Sequence, residues 1–255
     1  MIIAVDGTAA SGKGSLAKNL SKSLNLLHLD TGILYRILAY KAVSFKHLKN
    51  EKYINNLINC AKQLTIKEVE TIKSNTSINL RSAIISQKSS EIAMFESVRK
   101  ELTKLQRRYS KIKHSEYRGI VLDGRDIGTV VFPNAKFKFY LDADIRIRAE
   151  RRTEELIHLN YKVIYHEVLK DLVIRDERDK NRNIAPLRKA NDAIFIDTSL
   201  KSEEQVLQEA LDFINNWLEF GLNSNFNFNK AGKKPLNIYS KSMDFPSAST
   251  GIAII

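Results

Sequence analysis

The feature that most constrains this chain is its beginning. "IIAV" at residues 2–5 is a short β-branched run, "GTAASGKGS" at 7–15 follows it directly, and an amphipathic stretch continues from Lys13 to Leu24. A strand that ends on a glycine-rich turn and opens into a helix is the arrangement of a phosphate-binding loop, G-x-x-x-x-G-K-[ST]. Gly7, Gly12 and Gly14 let the backbone bend tightly, so that the N–H groups of Thr8, Ala9, Ala10, Ser11 and their neighbours face a polyphosphate at the helix N-terminus. Lys13 then bridges the phosphates to be cleaved. The hydroxyl expected directly after the lysine arrives one position late, as Ser15 behind Gly14.

The rest of the chain extends the same rhythm. "LLHLD" (26–30), "GIVLD" (119–123), "FKFYLD" (137–142) and "AIFID" (193–197) read as strands, each ending on an aspartate. Helical patterns separate them at 31–43, opened by a Thr31 cap, and at 144–158 and 202–220. Alternating strands and helices predict an α/β fold whose parallel sheet is covered by helices on both faces, with ligands outside the carboxyl ends of the strands. Residues 45–90 break the rhythm; this polar stretch, rich in Lys, Asn, Ser and Thr, reads as an inserted substructure. From Gly221 onward Asn, Ser, Gly, Pro and Lys dominate without a period, predicting a domain over 1–220 and a weakly ordered extension over 221–255.

Composition sets limits on function. With one cysteine, Cys60, among 255 residues, no internal disulfide can form, and a redox or structural zinc role does not fit. The formal net charge of +12 calls for an anionic partner, either nucleic acid or small phosphorylated ligands held by arginines. No leader pattern and no run of about 18 apolar residues is apparent, so a cytoplasmic chain is expected.

Three further segments carry candidate chemistry. "LDTGILYR" (29–36) ends a strand on Asp30 and opens a helix with Thr31, Tyr35 and Arg36; a second phosphate would suit it, and so would a plain capped helix. In "VLDGRDIGTVVFP" (121–133), Asp123, Arg125 and Asp126 bunch at a strand's carboxyl end, where a carboxylate supports Mg²⁺ and an arginine takes a phosphate bidentately. "VIRDERDKNR" (173–182) places Arg175, Arg178 and Arg182 on one helical face with Asp179, which fits an ion-paired surface helix or a lid closing over transferring phosphates.

Together the four segments resemble the bacterial-type cytidylate kinases of the nucleoside monophosphate kinase group, which carry G-x-x-x-x-G-K-G-[ST], L-D-[ST]-G-x-x-Y-R, D-G-R-D-x-G-T and R-D-x-R-D-x-N-R in this order. The resemblance covers about residues 2–218 and accounts for Gly14 after Lys13. It implies a P-loop kinase with an inserted monophosphate-binding region and an Arg-rich lid near 160–185. It also implies transfer of the γ-phosphoryl group of ATP to CMP, and to dCMP, with Mg²⁺ near Ser15 and Asp123. By the same resemblance Thr31, Tyr35 and Arg36 line the monophosphate site. Arg99, in "ESVRKEL", reads the cytosine edge, Asp126 accepts from the exocyclic amine, and Ser90 contacts the base. Arg125, Arg175 and Arg182 bind phosphate and Asp179 holds the ribose hydroxyls. The expected partners are these nucleotides, taken up by a monomer with no nucleic acid or membrane. Another small-molecule P-loop kinase is disfavoured by the D-G-R-D segment and the insert. A nucleotide-switched nucleic-acid binder is disfavoured because the arginines concentrate in the phosphate motifs without interleaved aromatics.

Overall fold

The computed structural model describes residues 1–75, 78–111 and 116–220; the extension expected over 221–255 lies outside these. Five parallel strands, β1 (Ile2–Gly7), β2 (Leu27–Asp30), β3 (Ile120–Gly124), β4 (Phe137–Asp142) and β5 (Ile194–Asp197), form one sheet in the order β2-β3-β1-β4-β5. In β1 every residue after Ile2 is buried, and in β3 all are, as strands covered on both faces must be. The sheet is held in register by pairs such as Ala4 with Leu122 and Asp30 with Asp123, which brings the aspartate-terminated strand ends into one row.

Helix α1 (Lys13–Leu24) follows the phosphate loop and buries Leu16, Ala17 and Leu20. Helix α2 (Gly32–Lys41) buries Ile33, Leu34, Ile37, Leu38 and Ala39. With Ala4, Leu29, Ile120 and Leu122 from the sheet, these join a core that takes in Leu57, Val69, Ile85, Val98, Leu102 and Leu105. Those last residues belong to four helices between α2 and β3: α3 (Asn50–Gln63), α4 (Ile66–Ser74), α5 (Ala83–Ile92) and α6 (Glu96–Tyr109). Helical structure thus runs past the 45–90 boundary to Tyr109.

Beyond β4, α7 (Ile145–His158) and α8 (Tyr165–Asn181) pack Ala149, Leu156, Val168 and Leu172 against Ala9 of the phosphate loop. The last helix is α9 (Glu203–Phe220), from which Phe213 meets Phe139 edge-on with ring centroids 6.0 Å apart. The chain divides into two units, Met1–Ile214 and Asn215–Ile255; the described residues of the second are the end of α9. Among the described residues no helix is long and apolar enough to cross a membrane.

Candidate active site

A cleft of about 660 Å³ opens at the carboxyl ends of the strands, within the usual range for small-molecule sites. Ala9, Ala10, Gly12, Lys13, Gly14 and Ser15 line one part of it. Gly12 precedes α1 with φ +82°, a conformation that favours glycine. Gly7 is required for another reason: a Cβ there would lie 2.1 Å from the Leu141 carbonyl oxygen.

Gly7, Thr8 and Ser11 add no surface to the cleft. The Thr8 hydroxyl donates to Asp142 Oδ1 at 2.6 Å, and the Ser11 hydroxyl to the Thr8 carbonyl at 3.0 Å, so these side chains brace the loop from behind. Lys13 Nζ donates to the Thr8 carbonyl at 3.0 Å. Burial, helped by Arg125, pushes its ammonium down to about 7.

All ten residues expected around the acceptor, Thr31, Tyr35, Arg36, Ser90, Arg99, Arg125, Asp126, Arg175, Asp179 and Arg182, line the same cleft. Thr31 stands at the start of α2 but does not cap it; its hydroxyl donates to the Asp123 carbonyl at 2.8 Å and ties α2 to β3. Arg36 donates to the Leu80 carbonyl and the Ser86 hydroxyl. Arg99 NH2 donates to Asp126 Oδ2 at 2.5 Å, a buried pair, and its guanidinium lies 5.6 Å from the Tyr35 ring centroid. The buried Ser90 hydroxyl has no protein partner. Arg125 Nε donates to Asp179 Oδ2 at 2.8 Å.

Arg182 caps the carboxyl end of α8, outside the helical face imagined for it, and lies 3.8 Å from Asp179 and 3.9 Å from Asp126. Arg178, grouped with Arg175 on one helical face from spacing, contributes nothing to the cleft. Arg175 Nε has no protein partner. Burial, reinforced by Arg125, lowers Arg175 to about 10, and burial with Arg175 nearby lowers Arg36 to about 9. Cations that depress one another mark a place short of negative charge.

The opposite holds at Asp123. Burial and the adjacent Asp30 raise its carboxyl above the usual range, while His28 Nε2 lies 2.7 Å from its Oδ1 and Lys13 also favours the charged form. Two crowded carboxylates beside a phosphate loop and Ser15 are a donor set that a divalent cation would relieve. Among the described residues no three His, Cys, Asp or Glu side chains form a ready-made metal cage. Mg²⁺ needs none, because it takes most of its ligands from phosphate and water.

Several contributors went unrecognised in the sequence. Arg148 is buried and donates to the Ala9 carbonyl at 3.1 Å and to Asp176 Oδ2 at 2.6 Å, linking the phosphate loop to α8. Arg151 and Arg152 reach the cleft directly, and Arg151 also holds Thr198, whose hydroxyl donates to the Ser11 carbonyl. The signal was "RIRAERR" (146–152), where Arg148, Arg151 and Arg152 share a helix face.

The family model for cytidylate kinase matches residues 3–216. The cytidylate kinase of Clostridioides difficile is 38% identical over 228 residues, covering 84% of this chain and 98% of that one. That of Bartonella tribocorum is 40% identical over 214 residues, covering 84% and 94%. By that match and these relatives, on a parallel α/β fold whose cleft opens beside the glycine-rich loop, this chain belongs to the cytidylate kinase family.

Proposed function

We propose that the cleft transfers the γ-phosphoryl group of ATP to CMP and to dCMP, releasing ADP with CDP or dCDP. The observation that carries this reading is the Arg99–Asp126 pair in a cleft that is also lined by Lys13 and by Ser90, whose hydroxyl has no protein partner. Cytosine offers an exocyclic amine next to ring acceptors, so a carboxylate beside a guanidinium matches it. Uracil puts a carbonyl where that amine would be, and Asp126 would then face an acceptor.

The remaining residues divide by charge. Phosphoryl transfer asks a protein for positioning and for neutralisation of the equatorial oxygens. Lys13 and the loop amides take the donor phosphates. Arg36, Arg125, Arg175 and Arg182, which line the same cleft, would take the acceptor phosphate and the transferred group, and Asp179 would accept from the ribose hydroxyls. Ser15 and Asp123 are the groups that would hold Mg²⁺, which when bound neutralises charge on the β- and γ-phosphates. The α7–α8 pair, packed on Ala9, is the element that would close over the phosphates and exclude water. We also propose that residues 1–220 form the kinase domain, acting as a soluble monomer without nucleic acid.

ADP release measured with CMP, dCMP, UMP, AMP and GMP as acceptors tests the reading. Cytosine nucleotides are expected to give the highest kcat/KM; equal values for all five would overturn it.

A further inference from the structure

Asp6 takes no part in the chemistry above. It is buried, 4% exposed, next to last in β1 and just ahead of the loop, and it adds no surface to the cleft. Its Oδ1 accepts the Ile127 N–H at 2.8 Å and its Oδ2 accepts the Gly128 N–H at 2.7 Å. These amides open a short π-turn, Ile127–Val131, whose own backbone bonds run from Val130, Val131 and Phe132. As the first N–H groups of a turn they have no partner within it, so one carboxylate satisfies two buried donors.

The strand holding that carboxylate is fixed. Asp6 pairs in register with Gly124 on β3 and Tyr140 on β4, and the next residue, Gly7, runs so close to β4 that a Cβ there would lie 2.1 Å from the Leu141 carbonyl oxygen. The turn it holds begins directly after Arg125 and Asp126, the residues that pair with Asp179 and Arg99 across the cleft. Burial pushes the Asp6 carboxyl up to about 7 against the pull of the two amides, so the fold accepts an electrostatic cost to place it there.

We propose that Asp6 is a positioning residue for the acceptor nucleotide: by holding the Ile127 and Gly128 amides it sets the place of Arg125 and Asp126, and so the affinity and base selectivity for the acceptor. This rests on the reading of Arg125 and Asp126 given under the proposed function.

Asp6→Asn tests it, because the amide keeps the shape but turns an NH2 group toward one of the two donors. The expected result is about a tenfold rise in KM for CMP and a matching fall in the CMP-to-UMP ratio of kcat/KM. The KM for ATP should stay near wild type, and thermal unfolding of the same samples reports whether the variant folds. Gly128→Ala is the second variant, with Asp6 intact: its Cβ would lie 3.3 Å from Asp6 Oδ2 and 3.1 Å from Lys138 Cδ, crowding the turn off the carboxylate. It should show the same split.

A purely structural role lowers the melting temperature and leaves both KM values and the ratio unchanged, which would overturn the proposal; so would equal rises in the two KM values. A wild-type protein without preference for cytosine would overturn the reading of the site instead, and the Asp6 variants would then be judged on the split between acceptor KM and ATP KM alone.

Discussion

Replacing Arg99 with alanine separates the stabilising work of one residue from the recognition role proposed for it. Both members of its pair are desolvated, with side chains 6% and 10% exposed, and their polar atoms meet at 2.5 Å. Removing the guanidinium leaves the Asp126 carboxylate with only the more distant Arg182, 3.9 Å away, and breaking a buried pair in this way costs about 3–5 kcal/mol. A domain of this size loses about 2–4 °C of melting temperature per kcal/mol. Arg99→Ala should therefore melt about 6–20 °C lower, read by calorimetry at pH 7.

The catalytic readout is independent of that loss. One correctly matched base contact is worth about 1–3 kcal/mol of discrimination. The CMP-to-UMP ratio of kcat/KM should thus fall by about 5- to 150-fold below the melting range. The double variant Arg99→Met, Asp126→Leu removes both charges together; it should recover most of the stability, because an apolar pair of similar volume commonly equals a buried ion pair, and it should not recover selectivity. An Arg99→Ala protein that melts with wild type would refute the burial argument. One that melts lower but still prefers CMP would refute the recognition role.

Four other expectations follow. Lys13→Ala should lose turnover with every acceptor alike, and a loss confined to CMP would mean that Lys13 does not serve the donor phosphates. For the wild-type lysine, lowered to about 7 in the free site, the unfolded chain binds more protons between about pH 7 and 10.5, so this group opposes folding at neutrality and the opposition fades as pH rises. ATP phosphates restore its charge, so binding at pH 8 should take up a proton, seen as a heat that varies with buffer ionisation enthalpy; an invariant heat contradicts this. Arg175→Ala should lower kcat by about 10³, with ATP affinity measured separately, since a cis arginine on the transferring group is worth that much. Truncation after Phe220 should leave kcat within about twofold, and a large loss would show that the extension is needed by the kinase domain.

Much of the architecture was legible from local pattern. The strand, glycine turn and helix at the start have a period and a loop chemistry that few other structures satisfy, and α1 spans Lys13–Leu24 as its amphipathic spacing implied. The first two helices after α2 were harder to read because their apolar footprint is small. Leu57 and Ala61 are the buried residues of α3, and Val69 of α4, among many lysines and asparagines. Those helices are held by the core they join more than by a strong pattern of their own. Thr31 shows a different limit: its type and position suit a cap, yet the Asp123 carbonyl competes successfully for the hydroxyl.

What the amino-acid order determined by itself was periodicity, loop chemistry and the side chains proposed to bind phosphate, because these depend on neighbours a few residues apart. What only the tertiary structure decided was which distant groups face one another. Asp6 meets the amides of Ile127 and Gly128, Arg148 joins Ala9 to Asp176, and His28 lies against Asp123, 95 positions away. The sheet order β2-β3-β1-β4-β5 sets the segments bearing these groups side by side, and burial leaves each charge or donor stable only where its partner has been brought within reach.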